Sequence, residues 1–251
     1  MQLNERNSFS YAPIERMDIP PILVINLEER KDRWVSIQNA FQSWRVPLQR
    51  VEAVRMKPGW KGCSLSHKKC IQIAKDRKYP WVLIVEDDCK PENDAQERFR
   101  ALLPSLWARR SEWDLFNGGS SYLFSARVIQ EEPPLLEVSG WATQFILIHE
   151  GSYDHLLDAI HENMKIDVYY KEKERSWSTV PHLATQATGV SDIENKEIDY
   201  SAQFKKSEEI LFTKIFLYKW DYIPKTVASV LIVGSILGLA LRFSGRSRFR
   251  R

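Results

Sequence analysis

The sequence predicts an α/β protein with a mixed, mainly parallel sheet. Two apolar runs, Ile22–Leu27 and Trp81–Val85, have the length and continuity of strands that are buried on both faces. Segments between and after these runs carry apolar residues at helical spacing. Because strands that alternate with helices are typical of parallel sheets, we expect helices on both faces of this sheet.

The individual elements follow from apolar periodicity and from the residues that begin and end helices. The predicted strands are Ile22–Leu27, Val51–Val54, Trp81–Val85, Asp114–Asn117 and two runs near Tyr122–Val128 and Trp141–His149. The predicted helices are Asp32–Trp44, Ser64–Lys78, Asp94–Arg110, Gly151–Met164 and Ala202–Tyr218. Ser64 or Ser66 is expected to cap the second helix, since a serine hydroxyl satisfies free backbone N–H groups there. After the segment Lys165–Tyr170, an irregular stretch is expected as far as about Tyr200.

The chain divides into one large domain and three smaller segments. We expect a flexible polar leader at 1–19, a folded domain at 20–222, an apolar helix at 226–243 and a basic tail at 244–251. Five of the last ten residues are arginine, so the net charge of +3 lies in the tail and the body is nearly neutral. This distribution excludes a nucleic-acid-binding surface over the main domain. The three cysteines lack a Cys-x-x-Cys spacing, which fits a reducing compartment.

Three consecutive acids, Glu86, Asp87 and Asp88, directly follow the buried strand Trp81–Val85. Ligands of open α/β sheets bind at the carboxyl ends of strands. Neighbouring carboxylates repel one another unless a cation lies among them, and oxygen ligands suit Mn²⁺ or Mg²⁺. The competing interpretation is a solvated acidic turn. Dinucleotide-binding, P-loop and serine-nucleophile motifs are absent from the sequence.

Several blocks of sequence together resemble glycosyltransferase family 25, the family of lipopolysaccharide and procollagen galactosyltransferases. The resemblance spans about 21–200 and is strongest before Asn117. Its three main blocks are Val24–Leu27 with Arg30–Arg33, Gly62–His67 and Val85–Asp88. Later segments are similar to the family's later blocks more loosely, namely Gly140–Phe145, Lys165–Asp167, Pro181, Gln186 and Ser191–Ile193.

The resemblance implies a GT-A (Rossmann-like) fold and an inverting transfer from a nucleotide-sugar donor, usually UDP-linked, to a glycan or glycoprotein acceptor. The donor-binding residues that it implies are Asn26, Leu27, Arg30, Arg33, Gly62, Ser66, His67 and Asp87. Asn26 and Arg30 would lie near the base and ribose. Glu86 and Asp88 would be the metal ligands, although which two of the three acids touch the ion stays open. His67 could instead be a buried structural histidine.

An inverting transfer also needs a carboxylate base for the acceptor hydroxyl. Asp167 is the first candidate and Asp192 the second, which could instead bind metal or substrate. Asp167 could equally be a helix N-cap. Trp60 and Trp141 could stack on a sugar, although tryptophan is more often a core residue. Two other functions stay open: a metal-dependent nucleotidyl- or phosphotransferase, and an inactive, membrane-tethered binding protein.

The segment Thr226–Leu241 has sixteen residues without a charge. Lys225 and Arg242 flank it, and its apolar residues occupy every face of a helix, so we expect a membrane anchor. The chain would then be membrane-associated with its catalytic domain facing the cytosol, although the arginine-rich end argues for the opposite topology. Gly234 and Gly238 form a Gly-x-x-x-Gly pair that could support a homodimer. The alternative is a buried C-terminal helix of the domain.

Overall fold

The structure, a computed structural model, describes residues 18–193 and 196–221. Almost all of the predicted leader, the predicted helix at 226–243 and the basic tail at 244–251 lie outside these residues. Within the described ranges, no helix combines the length and the apolar character that crossing a membrane requires.

Strands and helices largely alternate as far as Ala108, as the sequence predicts, whereas two runs of four consecutive strands lie between Leu115 and Ile198. The strands are β1 (Ile22–Asn26), β2 (Leu48–Glu52), β3 (Trp81–Glu86), β4 (Cys89–Pro91), β5 (Leu115–Asn117), β6 (Tyr122–Gln130), β7 (Leu135–Trp141), β8 (Phe145–His149), β9 (Ser176–Ser178), β10 (Ala184–Gln186), β11 (Gly189–Val190) and β12 (Glu197–Ile198). The helices are α1 (Lys31–Ala40), α2 (Gly59–Asp76), α3 (Ala95–Ala108), α4 (Glu150–Ala159), α5 (Ile166–Lys173) and α6 (Ser201–Asp221).

Eight strands form one mixed sheet in the order β2–β1–β3–β8–β5–β9–β7–β6. The pairings β1–β2, β1–β3 and β5–β9 are parallel, whereas β8 and β7 run antiparallel to their neighbours. Six of the eight strands therefore share one direction. Two short antiparallel pairs, β4–β10 and β11–β12, lie outside this sheet. The mixed α/β architecture expected from the sequence is confirmed.

The central strands are buried on both faces because alternate side chains enter two separate cores. Ile22 and Val24 of β1 pack with residues of α1 and α3, whereas Leu23 and Ile25 pack with residues of α2, α4 and α5. All four side chains are at most 8% exposed. The continuous apolar runs in the sequence reflect this two-sided burial.

The structure differs from the sequence prediction in the second helix and in the stretch before Tyr200. Helix α2 begins at Gly59, after Pro58, so Ser64 and Ser66 are interior residues and neither is an N-cap. Their hydroxyls instead donate to the carbonyl oxygens four residues earlier, at 3.0 and 2.7 Å. Strands β9 to β12 lie in the stretch expected to be irregular, and each has at most three residues, which is too short for an apolar pattern to reveal it.

Helix α6 packs on the far end of the sheet through a small apolar cluster. Leu211 is fully buried against Leu136, Val138 and Val180, whereas the adjacent Phe212 is 47% exposed. Replacing a buried leucine by alanine removes apolar contacts and leaves a cavity.

We therefore expect Leu211→Ala to lower the free energy of unfolding of the full chain by about 2–5 kcal/mol, measured by urea denaturation. Phe212→Ala is the matched control and should change it by less than about 0.5 kcal/mol, since its side chain is exposed. Equal effects of the two variants would contradict this packing of α6.

Candidate active site

The carboxyl ends of β1 and β3 lie side by side because these neighbouring strands are parallel. Ile25 is in register with Glu86, so Asn26 and Asp87 meet at the edge of the sheet. The Asn26 Nδ2 atom donates to Asp87 Oδ2 at 2.7 Å, and Asn26 Oδ1 accepts from the Arg50 guanidinium at 2.7 Å. A buried asparagine thus fixes one carboxylate of the acidic cluster.

A cavity of about 600 Å³ opens at this edge and is called the first cavity below. This volume lies within the range of small-molecule sites. The predicted site residues on its wall are Asn26, Leu27, Arg33, Gly62, Ser66, Glu86, Asp87, Asp88 and Asp192. The loop at 53–59 forms the opposite wall.

Helix α2 contacts this loop more closely than a side chain at Gly62 would allow. A Cβ atom on Gly62 would lie 2.1 Å from the carbonyl oxygen of Val54. The Ser66 hydroxyl accepts the backbone N–H of Val54 at 2.8 Å. Gly62 and Ser66 therefore hold the loop that forms the wall of the first cavity.

The oxygens of Asp87 and Asp88 differ in their partners. Asp87 accepts hydrogen bonds on both oxygens, from Asn26 and from Arg33. Asp88 uses only Oδ2, which accepts from Gln186 at 2.9 Å and from Arg33 at 3.3 Å. Its Oδ1 atom is buried and has no hydrogen-bond partner in the described part of the chain. Asp88 thus presents a free oxygen and Asp87 does not.

Arginine side chains connect the acids to the β11–β12 hairpin. The Arg33 guanidinium donates to Asp87 at 2.8 Å and to the carbonyl oxygen of Val190 at 2.7 Å. Asp192, just beyond β11, forms ion pairs with Arg30 and, at 3.7 Å, with Arg33. The contacts of Arg30 and Arg33 therefore hold the hairpin at the first cavity.

Glu86 is held by two residues behind the cavity wall. Its Oε1 atom accepts from the Thr143 hydroxyl at 2.5 Å and lies 3.4 Å from His67 Nε2. Burial raises the pKa of Glu86, but the bonds with His67 and Thr143 outweigh burial, and the pKa is lowered overall. Glu86 is therefore ionised at neutral pH.

For Asp88, the effects that raise the pKa outweigh the effects that lower it. Burial, together with the charge of Glu86, raises the pKa of Asp88 from 3.8 to about 7, although Gln186 and Arg33 act against this. Such crowding, with one unpartnered carboxylate oxygen, is the arrangement that a divalent cation would stabilise. The residues present therefore fit an ion held by Asp88 and Glu86.

A second set of potential metal ligands is less suitable. The ligand atoms of Cys63, His67 and Glu86 lie within 4.8 Å of one another. Burial and the charges of nearby acids raise the pKa of the Cys63 thiol well above 9.0. A thiol and an imidazole suit softer metals than Mn²⁺ or Mg²⁺, so this set does not match the expected ion.

A second cavity, of about 540 Å³, lies on the other side of Glu86. Its wall includes Trp60, Trp141, Gln144 and Asp167. Asp167 is the second residue of α5, whose N-cap is Lys165, and its Oδ1 atom accepts the backbone N–H of Val168 at 2.8 Å. The two cavities share Cys63, Glu86, Gln186, Ser191 and Ile193.

Two predicted donor-binding residues lie behind the wall of the first cavity. Arg30 pairs with Asp32 and Asp192, and His67 is fully buried beside Glu86. Their predicted donor contacts stay predictions. Sequence patterns indicated no site role for Thr143 or Gln186, which reach the acids through pairing of distant strands.

No family model matches the chain. The chain is similar to human procollagen galactosyltransferase 2, with 23% identity over an alignment that covers 55% of this chain. The alignment covers 27% of that relative, so the chain spans about a quarter of its length.

A comparison with solved structures matches the chain to A197 from STIV, among others, with 14% identity and a TM-score of 0.43 over 70% of this chain and 91% of that protein. A second is mannose-1-phosphate geranyltransferase from Thermus thermophilus, with 10% identity and a TM-score of 0.39 over 65% and 74%. A third is a glycosyltransferase involved in the glycosylation of the major capsid of PBCV-1, with 10% identity and a TM-score of 0.35 over 61% and 68%.

The raised pKa of Asp88 predicts how stability depends on pH without divalent cations. The folded chain binds the proton of the Asp88 carboxyl group more tightly than the unfolded chain does. The stability that this proton contributes to the folded chain is therefore complete below pH 3.8 and is lost as pH rises through about 7. We expect Asp88→Asn to raise the free energy of unfolding at pH 8 by roughly 1–4 kcal/mol. Near pH 4 the variant and the wild-type chain should have equal free energies of unfolding. Both values are measured by urea denaturation in the presence of a chelator.

Asp114→Asn is the matched control. Burial raises the pKa of Asp114, but hydrogen bonds from Arg175 outweigh burial and lower it overall. This variant should therefore lose stability at pH 8. A loss of stability in both variants would contradict the environment assigned to Asp88.

Proposed function

We propose that this chain is a metal-dependent glycosyltransferase that takes its sugar from a nucleotide-sugar donor in the first cavity. The observation that carries the proposal is the acidic cluster on the cavity wall, where Asp88 keeps a free, buried oxygen beside Glu86. The sequence similarity to a procollagen galactosyltransferase supports the same class. A UDP-linked donor and inversion at the sugar carbon are part of this proposal.

Glu86 and Asp88 are the residues that would hold Mn²⁺ or Mg²⁺. When bound, the ion would supply positive charge for the diphosphate leaving group. Asp87 has a separate role, since Asn26 and Arg33 occupy both of its oxygens. It fixes the Arg33 guanidinium at the cavity, where a second positive charge can face the phosphates.

The remaining wall of the first cavity suits a nucleoside. Leu27, Val54 and Met56 offer apolar surface for a base, and the backbone of the loop at 53–59 offers polar groups beside it. Gly62 and Ser66 keep this loop in place. Donor binding therefore depends on a preformed wall and needs no contact with His67.

The base that takes the acceptor proton is proposed to be Asp167. It is half-buried in the second cavity, across Glu86 from the first cavity, so an acceptor beside it would lie next to a donor. Asp192 is less suited because its carboxylate is already paired with Arg30 and Arg33.

A donor panel tests the proposed reaction. The full chain is incubated with UDP-, GDP- and CMP-linked sugars and with nucleoside triphosphates plus sugar phosphates, in Mn²⁺ or in a chelator. We expect metal-dependent release of nucleoside diphosphate from one UDP-sugar. Pyrophosphate release from a nucleoside triphosphate would instead identify a nucleotidyltransferase. Failure to bind any nucleotide in Mn²⁺ would identify an inactive binding protein.

Asp167→Asn tests the base. We expect transfer to acceptor to fall by about 10²–10⁴-fold, because the amide cannot accept the proton, with donor affinity unchanged. Asp154→Asn, at an exposed position on α4, is the control and should keep full transfer. A loss below about tenfold would exclude Asp167 as the base.

A further inference from the structure

The second cavity has the features of a carbohydrate site. We propose that it binds the acceptor as a neutral glycan, with a sugar ring stacked on Trp141. This inference rests on the proposed function, since it assigns the acceptor to the cavity beside the donor cavity. The shared wall at Glu86 and Gln186 places the two ligands next to each other.

Trp141 belongs to a cluster of aromatic side chains at the cavity mouth. Its ring meets Tyr122 and Phe124 edge-on, with ring centroids 5.4 and 5.3 Å apart. Tyr122 is 40% exposed and Phe124 is 57% exposed, whereas Trp141 is half-buried. These T-shaped contacts, with interplanar angles of 69° and 63°, fix the orientation of the Trp141 ring.

Trp60, at the start of α2, is a second aromatic residue in the cavity wall. Lys61 and Lys165 lie over its ring, at 5.6 and 6.0 Å from the centroid. The C–H faces of a pyranose are apolar and weakly positive, so they match the negative face of an indole ring. Because lysine ammonium groups already contact the Trp60 ring, Trp141 is the ring assigned to sugar stacking, and Trp60 contributes to the cavity wall beside it.

The polar groups of the cavity include both acceptors and donors, which suits sugar hydroxyls. Gln144 is 1% exposed and uses its Nε2 atom to donate to the carbonyl oxygens of Gly119 and Ala184, at 2.9 and 3.2 Å. Its Oε1 atom is buried and lacks a donor among the residues that the structure describes. Glu86 and Asp167 add carboxylates to the same wall, and Lys165 adds an ammonium group. Among the described lining residues the carboxylates outnumber this cation, which disfavours a phosphorylated or carboxylated acceptor.

The backbone at the cavity also carries local strain. Ala142 has φ of 103°, a conformation that residues with a Cβ atom rarely adopt. Asn117 Nδ2 donates to the Ala142 carbonyl oxygen at 2.8 Å and helps to hold this conformation. Ala142 joins Trp141 to Thr143, and all three line the cavity. Strain of this kind is concentrated at binding and catalytic sites.

The test measures acceptor binding separately from catalysis. The full chain, in a detergent without a sugar headgroup, is titrated by saturation-transfer NMR with methyl glycosides of glucose, galactose, mannose and N-acetylglucosamine. A collagen-derived peptide without sugar is the competing ligand class. We expect at least one glycoside to bind, and Trp141→Ala to weaken that binding at least tenfold.

Matched variants separate a binding effect from loss of fold. Phe212→Ala removes an exposed aromatic ring from α6, outside both cavities, and should leave glycoside affinity unchanged. Trp141→Phe keeps an aromatic face and should weaken binding less than Trp141→Ala. Trp60→Ala should weaken binding even if Trp141→Ala fails to fold, which thermal denaturation of each variant will show.

Hydrolysis of the donor by water, measured without acceptor, separates this inference from the proposed function. The Phe212→Ala control, which lies outside both cavities, should hydrolyse donor within about twofold of the wild-type rate. Glycoside affinity that is unchanged in folded Trp141→Ala and Trp60→Ala, or binding of the peptide alone, would overturn the glycan assignment. Glycoside binding through Trp141 by a chain that hydrolyses no donor would support the carbohydrate site and overturn the proposed function.

Discussion

The acidic site depends on the ion pairs that the Arg33 guanidinium forms with its carboxylates. It lies 2.8 Å from Asp87, 3.3 Å from Asp88 and 3.7 Å from Asp192, and its side chain is 15% exposed. Carboxylates so close together in a partly buried site repel one another strongly unless a fixed positive charge lies among them. Through Arg33, the first turn of α1 and the turn after β3 are joined to the β11–β12 hairpin.

The positive charge of Arg33 offsets the charge of the nearby carboxylates only in part. The carboxylate that stays uncompensated indicates where a ligand can bind. Arg33 and Gln186 both contact Asp88 Oδ2, so Oδ1 of the same carboxylate keeps its capacity to bind a ligand. The raised pKa of Asp88 expresses the same imbalance, because burial and the charge of Glu86 outweigh the favourable contacts. A fully compensated acidic cluster would be structural. One carboxylate left without full compensation is typical of a functional site.

Sequence patterns could predict the core of this fold and the position of the acids. Trp81–Val85 is apolar at every position because both faces of β3 are covered, and parallel pairing with β1 sets the position of Asp87 beside Asn26. Contacts between distant segments carry no local signal. Gln186 reaches Asp88 from 98 positions away only because β10 pairs with β4. Local patterns also gave an incomplete account of α2, since Ser64 and Ser66 bond backward within a helix that begins at Gly59. The longer helix adds Trp60 and Gly62, so that one element contacts both cavities.

The second cavity exists because β8 is antiparallel to β3. In this pairing Val85 is in register with Phe145, so the residues that precede β8 lie beside the residues that follow β3. The backbone N–H of Glu86 donates to the Gln144 carbonyl oxygen at 3.1 Å, and the Thr143 hydroxyl reaches the Glu86 carboxylate. A parallel strand at this position would carry Thr143 and Gln144 at the opposite edge of the sheet. One reversed strand therefore gives Glu86 a cavity on each side, which is what a transfer between two bound ligands requires.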